Sequence, residues 1–285
     1  MPNGVHLMDP AGLVPAAHPH DYAQLERIVH TQRGTGEQEI GKFFITSSMC
    51  MPEDEVQKFI DINLARDLPR SYYRTPHTRT VSIVGSGPSL KAEAIETSDV
   101  WAINSAHDWL IKRGVIPKAM VLLDPQRAEM LRFVTKPHPD VTYYIAACCD
   151  PEIFERLKDH KIVMWNPMIS ARSWEKNPYE NYITGGHTAL TRAPNLAWSV
   201  GYREIHLHGC DSSFKATTHI DRNHDFGLDL KAAVVNGRTF ATCGAFLSQV
   251  ASMMEIIPTL KKNGVKFKVF GDGMMQHVLY EERII

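Results

Sequence analysis

Short apolar segments alternate with amphipathic segments from Thr80 to the end of the chain. Seven segments of four to six mainly apolar residues predict β-strands: 81–84, 100–103, 119–123, 141–146, 161–165, 204–208 and 266–270. Apolar residues at helical spacing predict helices between them, at 105–113, 152–158, 188–200 and 246–263. Near-continuous apolar strands that alternate with amphipathic helices are typical of a mostly parallel sheet covered on both faces. The pattern therefore predicts a Rossmann-like α/β domain.

The first 78 residues follow a different pattern, and we divide the chain into an extension, 1–78, and a domain, 79–285. The spacing in Asp21–His30 predicts a short helix capped by Asp21. A stronger helix is predicted after Pro52, because acidic residues fill its first turn and an apolar stripe ends at Leu64. We therefore expect a mainly helical extension packed on the domain.

Composition narrows the class of protein further. The 285 residues include 31 Lys and Arg and 32 Asp and Glu, so the net charge is −1, and hydrophobic residues make up 44%. These are ordinary globular values. No apolar run approaches the ~18 residues of a membrane span. No secretory signal is visible at the start of the chain, and the five cysteines lack metal-site spacing. The composition predicts a cytoplasmic protein.

A glycine-rich turn directly follows the first strand, with the sequence Gly85-Ser86-Gly87-Pro88-Ser89-Leu90. Glycines can adopt left-handed backbone conformations and let a ligand approach the main chain, while nearby amides can bind phosphate. Leu90 replaces the third glycine of the dinucleotide fingerprint, and no Gly-Lys-Ser/Thr follows as in a P-loop. The turn is consistent with a phosphate cradle formed by the amides of Gly87, Ser89 and Leu90, or simply with a tight connection.

Polar residues follow the next two strands, where Asn104 ends one strand and Asp124 ends the other. Because the carboxyl ends of parallel strands meet at one edge, we expect both residues near the glycine turn. An asparagine there can bind a phosphate or a sugar, and an aspartate can hold a ribose, a metal ion or an amine. Helix capping and turn formation are the structural alternatives.

A second glycine turn, Thr184-Gly185-Gly186, precedes the predicted helix 188–200. Amides at the amino terminus of a helix bind anions. This turn is therefore a second candidate for phosphate binding.

A late strand is followed by Asp211 and then by the polar stretch 217–225, which contains His219 and His224. A histidine there can act as a general base or acid near neutral pH, or can bind a metal ion together with aspartates. A solvated loop is the alternative.

Taken in order, these motifs resemble the MptE-like 6-hydroxymethylpterin diphosphokinase family, whose domain is related to that of bacterial sialyltransferases. The matching segments are 85–90, 102–104, 114–117, 123–125, 184–186, 201–205, 209–211 and 218–219. They span about residues 80–275. The extension before them is similar to those of phage-encoded relatives.

The resemblance implies a nucleotide site and a catalytic group. It implies that the nucleotide is bound by Gly85, Ser86, Gly87, Pro88, Ser89, Asn104, Asp124, Thr184, Gly185 and Gly186. Asp211 lies at the mouth of a late strand in this alignment, and His219 is the side chain nearest the chemistry. The Ser-His-Tyr stretch of the sialyltransferases is absent, and His219 and His224 stand in its place.

Three functions follow as hypotheses. The leading one is a diphosphokinase-like enzyme that transfers a pyrophosphoryl group from ATP to a pterin-like alcohol, with Mg²⁺ held by Asp124 and Asp211. The second is a glycosyltransferase that uses a nucleotide sugar, with His219 or His224 deprotonating the acceptor. The third is a non-catalytic nucleotide-binding module.

The near-zero charge favours a small anionic donor and a small acceptor over nucleic acid as partners. The predicted helix 246–263 is apolar enough either to pack internally or to join two copies of the chain. A homo-oligomer is therefore one expected arrangement.

Overall fold

The computed structural model describes residues 51–96, 99–169, 171–177, 179–215 and 231–285, together with the backbones of short strands in the remaining parts. The helices are α1 Glu53–Leu64, α2 Ala106–Ile111, α3 Arg127–Phe133, α4 Pro151–Arg156, α5 Ala171–Lys176, α6 Ala189–Ser199, α7 Gly244–Lys262 and α8 Met274–Glu281. The strands are β1 Val5–Leu7, β2 Tyr22–Glu26, β3 His30–Arg33, β4 Gly36–Glu39, β5 Lys42–Thr46, β6 Thr80–Val84, β7 Asp99–Ile103, β8 Ala119–Leu122, β9 Thr142–Ala146, β10 Lys161–Pro167, β11 Tyr182–Ile183, β12 Glu204–His208, β13 Thr218–His219, β14 Arg222–Asn223, β15 Lys231–Val235, β16 Arg238–Thr242 and β17 Lys266–Phe270.

Eight strands form one central sheet in the order β11-β10-β9-β8-β7-β6-β12-β17, and every neighbouring pair in it is parallel. From β6 the chain builds the sheet outward in one direction as far as β11, and it then crosses back to place β12 on the other side of β6. Such a reversal leaves a crevice at the carboxyl ends of the two central strands. The predicted parallel, Rossmann-like sheet is confirmed.

The central strands are buried on both faces because buried, mainly apolar residues occupy successive positions of each strand. Val81 and Ile83 of β6 belong to the larger core cluster, which also contains Ala193 of α6 and Val250 of α7. Val84, at the end of the same strand, belongs to a second cluster with residues of β7 and α2. Since successive residues of a strand point to opposite faces, helices cover both sides of the sheet.

The segment before the sheet is bonded to it. Val56 of α1 lies in the core, and the Asn63 side chain at the end of the helix donates to the carbonyls of Ala147 (2.9 Å) and Cys149 (2.8 Å). Further on, the Ser71 amide donates to Met164 O of β10 at 2.8 Å. These bonds fix the approach of the chain to β6, while the division of the chain at residue 78 stays a prediction.

Strands replace one predicted helix in the first 50 residues. The spacing in Asp21–His30 predicts a helix, but Tyr22–Glu26 forms β2, which pairs antiparallel with β5, and His30–Arg33 forms β3. In so short a segment the apolar spacing suits either structure, and pairing with a partner strand decides. The expected mainly helical extension is corrected accordingly: α1 is the helix described within residues 1–78.

The four helices predicted in the domain are confirmed as α2, α4, α6 and α7, and the structure adds α3, α5 and α8. Along α7 the apolar residues Phe246, Leu247, Val250, Met253 and Ile257 are buried within the chain itself. Its apolar face is therefore used internally. Across the described ranges, the helices are all too short or too polar to span a membrane.

Candidate functional site

A cavity of about 170 Å³ lies in the crevice at the carboxyl ends of β6, β7 and β12, and we call it the first cavity. It is lined by Gly85, Ser86, Gly87, Ile103, Asn104, Ser105, Phe133, Thr188, Ala189, Leu190, Gly209, Asp211, Ser212, Ser213, Phe246 and Gln249. The glycine turn and Asn104, which lie about twenty residues apart in sequence, thus meet at one site as predicted.

The glycine turn is built by close approach of two backbones. The Gly85 amide donates to His208 O and the Gly87 amide donates to Gly209 O, both at 2.8 Å. A Cβ on either glycine would lie 2.6 Å from Gly209 O, so a larger residue does not fit. The left-handed conformation expected of the turn glycines is found instead at Gly209, whose φ is 59°.

The three amides of the predicted phosphate cradle donate to groups within the protein in this structure. Gly87 donates to Gly209 O, Ser89 donates to Asp211 Oδ2 at 2.6 Å, and Leu90 donates to Gly87 O at 3.1 Å. These bonds give the turn its shape and rigidity, and its binding of a phosphate stays a prediction.

Asp211 holds the turn in place. One carboxylate oxygen accepts the Ser89 amide, and the other accepts the Ser89 hydroxyl at 2.5 Å and the Gln276 side chain at 3.0 Å. Asp211 is 2% exposed, and burial raises the pKa of its carboxyl in spite of these donors. With both oxygens engaged, the contacts of Asp211 favour a role in positioning the glycine turn.

Asn104 and Ser212 line the first cavity in strained conformations. Their φ angles are 49° and 48°, in the left-handed region that non-glycine residues rarely adopt. Ser212 is held by its hydroxyl, which donates to Gln249 Oε1 at 3.0 Å. The buried Oδ1 of Asn104 has no hydrogen-bond partner among the described residues. Strain of this kind clusters at ligand sites, and an unpaired buried acceptor calls for a donor from a ligand.

The amino terminus of α6 forms another wall of the first cavity. Thr188 caps the helix, with its hydroxyl accepting the Thr191 amide at 3.3 Å. Ala189 and Leu190 follow as the first two residues of the helix and line the cavity. Because a helix leaves its first amides without intrahelical acceptors, and its dipole is positive at this end, these amides suit an anion.

The preceding turn, Thr184 to Gly186, lines neither this cavity nor the larger one described below. Thr184 is exposed, and its carbonyl accepts the Asn195 side chain at 2.9 Å. A Cβ on Gly186 would lie 2.5 Å from Ser252 Oγ, so this glycine permits close packing of the turn against α7. The predicted contact of this turn with a nucleotide stays a prediction.

Asp124 is not brought to the cavities. Its Oδ1 accepts the Gln126 amide at 2.8 Å, as in a turn, and it lines neither cavity. His219 lies in β13, of which only the backbone is described, and His224 lies outside the described residues. No group of three or more His, Cys, Asp or Glu side chains in the described ranges could hold a metal ion. The metal pair Asp124 and Asp211 stays a prediction.

A second cavity, of about 770 Å³, lies on the other side of the glycine turn. Pro88 and Ser89 line it, and it shares Gly209, Asp211 and Ser213 with the first cavity. Three cationic residues also line it: Lys91, Lys215 and Arg238.

Asp272 orients one of these cations. Its two carboxylate oxygens accept from the Arg238 guanidinium at 2.5 and 2.8 Å, and His277 Nε2 lies 2.8 Å from Oδ1. The Arg238 and His277 contacts hold the pKa of Asp272 well below its ordinary value. The charged carboxylate therefore fixes Arg238 at the rim of the second cavity.

Several residues that line the two cavities are not predicted from the sequence. Phe133 ends α3, while Phe246 and Gln249 lie in the first two turns of α7, far from any glycine motif. Arg238 begins a strand of the β15–β16 hairpin. None of these residues stands in a local pattern that signals binding. Of the cavity residues that were not predicted, Ser212 alone had a usable sequence signal, because it directly follows Asp211 after the end of a strand.

The sheet order and the crevice define a Rossmann-like α/β protein. The family described as 6-hydroxymethylpterin diphosphokinase MptE-like matches residues 54–217, which are 164 of the 285 residues. The chain therefore belongs to the MptE-like family. The match begins within α1 and ends before His219.

A solved structure gives the same fold. The MAf glycosyltransferase from Magnetospirillum magneticum AMB-1 superposes with a TM-score of 0.59 at 16% sequence identity. The similarity covers 84% of this chain and 42% of the glycosyltransferase, so the chain spans less than half of that protein's length. No curated protein matches the chain by sequence.

Proposed function

We propose that the chain is a nucleotide-dependent transferase, with a donor nucleotide bound in the first cavity and an acceptor in the second. The observation that carries the proposal is the unpaired, buried Oδ1 of Asn104 beside the amino terminus of α6. A nucleotide offers what both groups lack, since its sugar hydroxyl can donate to Asn104 and its phosphate can accept from the amides of Ala189 and Leu190.

The charges around the two cavities suit this division. Among the described residues that line the first cavity, none is a Lys or Arg, so the helix dipole and amides meet the donor's negative charge. The second cavity adjoins the first at Gly209, Asp211 and Ser213. It is lined by the cationic residues Lys91, Lys215 and Arg238. Cations there stabilise charge that develops on transferring phosphates, while the larger volume accommodates an acceptor.

As a diphosphokinase, the protein joins an acceptor hydroxyl to the β-phosphorus of ATP. A bond forms between the hydroxyl oxygen and Pβ, the bond between Pβ and the α–β bridging oxygen breaks, and AMP leaves. The hydroxyl proton passes to a base, for which His219 is the first candidate and His224, five residues later, the second. Mg²⁺ stays a predicted cofactor, and within the described ranges no group of three or more His, Cys, Asp or Glu side chains could hold it.

The second candidate is a glycosyltransferase, which the name of the similar solved structure supports. The same first cavity then holds a nucleotide sugar, and the acceptor oxygen attacks the anomeric carbon as the nucleotide leaves. His219 or His224 takes the acceptor proton in this reaction as well.

Binding titrations with matched asparagine variants test the site. Asn104→Gly keeps the left-handed backbone and removes the amide, and Asn236→Gly does the same at φ 48° in the hairpin turn between β15 and β16. We expect Asn104→Gly to weaken binding of ATP or a nucleotide sugar by about tenfold, the value of a hydrogen bond of about 1.4 kcal/mol. Asn236→Gly should bind as the wild type does. Equal affinity in all three proteins would refute the site.

The reaction is then identified by its products. Calorimetry with ATP, GTP, CTP and nucleotide sugars, with and without Mg²⁺, selects the donor, and mass spectrometry of the turnover mixture follows it. AMP with a diphosphorylated acceptor supports the diphosphokinase, and release of nucleotide from a nucleotide sugar supports the glycosyltransferase. Binding without consumption would instead indicate a non-catalytic module. His219→Ala should abolish turnover without changing the melting temperature.

A further inference from the structure

A third cavity, of about 280 Å³, lies at the amino ends of β8 and β9, at the edge of the sheet opposite to the glycine turn. We call it the amino-edge cavity. It is lined by Pro69, Arg70, Ser71, Tyr72, Arg74, Arg79, Trp101, Lys118, Ala119, Thr142, Tyr144, Val163, Val200 and Tyr202. Four of these residues are cationic and none is acidic, in a chain whose net charge is −1.

The cations are only partly neutralised. Asp99, which is buried, accepts from Lys118 at 2.8 Å and lies 3.2 Å from Arg79. Burial acts to raise the pKa of Asp99, but the hydrogen bonds from Lys118 and Tyr202 outweigh it and hold the pKa below its ordinary value. A single charged carboxylate is therefore shared by two cations.

The other two cations differ from each other. Arg70 Nε lies 3.9 Å from Glu180, and its Nη2 donates to Leu64 O at 2.8 Å. Arg74 is exposed, and its guanidinium donates to no residue of the described ranges. Four cations thus face two carboxylates, Asp99 and Glu180, which leaves an excess of two positive charges around the cavity.

Hydroxyl groups in the same cavity also lack partners. Ser71 is 5% exposed, and its buried Oγ forms no hydrogen bond with any residue that the structure describes. The Tyr144 hydroxyl likewise has no partner in the described part of the chain, while its ring stacks on Trp101 at 5.0 Å. A buried hydroxyl such as that of Ser71 is normally paired, so it forms, with the partly buried Tyr144 hydroxyl and with Arg74, a group of donors that lacks an acceptor among the described residues.

We propose that the amino-edge cavity binds a small phosphomonoester, with its phosphate held by Arg74, Arg79 and Lys118 and by the hydroxyls of Ser71 and Tyr144. A phosphate dianion matches the excess of two positive charges and supplies three acceptor oxygens, where a carboxylate supplies one charge and two oxygens. The organic part of the ligand lies against the apolar lining, which includes Val163, Val200 and the Tyr144 ring. This site is separate from the proposed nucleotide site, since it lies at the opposite edge of the sheet.

Calorimetric titration of the full chain with phenyl phosphate and with inorganic phosphate tests the site. The titrations use the Asn104→Gly background, so that the nucleotide site contributes less. Arg74→Gln removes an unpaired cation of the cavity, and Lys262→Gln removes an exposed cation at the end of α7 as the charge-matched control. We expect Arg74→Gln to weaken phenyl phosphate binding by about tenfold or more, as for a charged hydrogen bond, and Lys262→Gln to leave it unchanged.

A second variant tests the hydroxyl separately. Tyr144→Phe keeps the ring stacked on Trp101 and should weaken phenyl phosphate binding severalfold, with an unchanged melting temperature in the absence of ligand. No binding of phenyl phosphate at millimolar concentration, or equal affinity in Arg74→Gln and Lys262→Gln, would overturn the proposal. Inorganic phosphate that binds as tightly as phenyl phosphate would overturn the assignment of an organic ligand.

Discussion

The two edges of the central sheet suit anions by different means. At the carboxyl edge, the first cavity offers amides at the start of α6 and an asparagine side chain, and its described lining has no cationic residue. At the amino edge, four cationic side chains surround a cavity with unpaired hydroxyls. Backbone amides and a helix dipole in a crevice bind an anion through their fixed orientation. Partly exposed cations attract an anion through their charge, which salt screens. A nearly neutral chain can therefore carry two anion sites that differ in rigidity.

Rigidity is the property that separates the two regions most. The glycine turn is held by backbone bonds to His208 and Gly209 and by two hydrogen bonds from Ser89 to Asp211, which Gln276 also contacts. By contrast, the side chains of Arg79 and Lys118 at the amino edge are 53% and 42% exposed. We therefore expect substitutions at the carboxyl edge to act on the fold and those at the amino edge to act mainly on binding.

The largest effect is expected from Gly87→Ala. The new Cβ would lie 2.6 Å from both Asp211 Cγ and Gly209 O, so the turn or β12 must shift. Overpacking against backbone should lower the free energy of unfolding by about 3 kcal/mol, measured by urea denaturation.

The control is Gly244→Ala, at the start of α7, where nothing lies within 4 Å of the added Cβ. It should change the free energy of unfolding by less than about 0.5 kcal/mol. Similar stability of the two variants would show that the glycine turn adapts to an added methyl group and is not rigid.

An intermediate effect on the free energy of unfolding is expected when the pH is lowered. Burial lowers the pKa of His208 and of His187 to about 4, with His206 and Arg192 respectively contributing. An unfolded histidine titrates near 6.5, so between pH 6.5 and 4 the unfolded chain binds protons that the folded chain does not, and stability falls as the pH falls. Between pH 7 and pH 5, each histidine should account for a loss of about 1 to 2 kcal/mol in urea denaturation.

The amino edge should respond differently to the same change. The pKa of Asp99 is lowered below 3.8, so its ion pairs are intact at pH 5 and are lost only as the pH falls further. His77, whose pKa burial and Arg79 also lower, is half-buried there and should contribute less than His208. His208→Gln should therefore flatten the dependence of stability on pH more than His77→Gln does. The reverse order would contradict the contrast between the edges.

The smallest effect is expected from Tyr202→Phe at the amino edge. The Tyr202 hydroxyl donates to Asp99 Oδ2 at 2.7 Å, and its removal leaves Asp99 paired with Lys118 and Arg79. We expect the free energy of unfolding to fall by about 1 kcal/mol, measured by urea denaturation at pH 7. A loss as large as that of Gly87→Ala would mean that the amino edge is equally rigid.

The sequence predicts the sheet well and the site only in part. Strands such as β6 and β12 are continuous apolar segments, which identify buried parallel strands without any knowledge of the fold. The short helix α3 and the two-residue strand β11 carry no comparable signal. Both elements form because they pack against or pair with elements that are distant in sequence. The local sequence of each segment carries no information about those partners.

Site residues were predictable where they follow a strand. Gly85, Asn104 and Asp211 do so, and the parallel sheet brings them to one edge. Gln249 and Phe246 reach the first cavity from α7 through tertiary packing alone. The amino-edge cavity was missed for the same reason, because Arg74, Lys118 and Tyr144 come from separate segments that share no motif.

The contact between Gly87 and Asp211 has a consequence for how such chains diverge. Since a side chain at 87 would occupy the space of the Asp211 carboxylate, the two residues constrain each other across 124 residues of sequence. A family member that gains a side chain at position 87 should carry a smaller residue at 211, together with a shifted backbone at 209, because the added Cβ would also lie 2.6 Å from Gly209 O. Covariation of positions 87 and 211 across the family would therefore indicate that the two residues are in contact in other members as well.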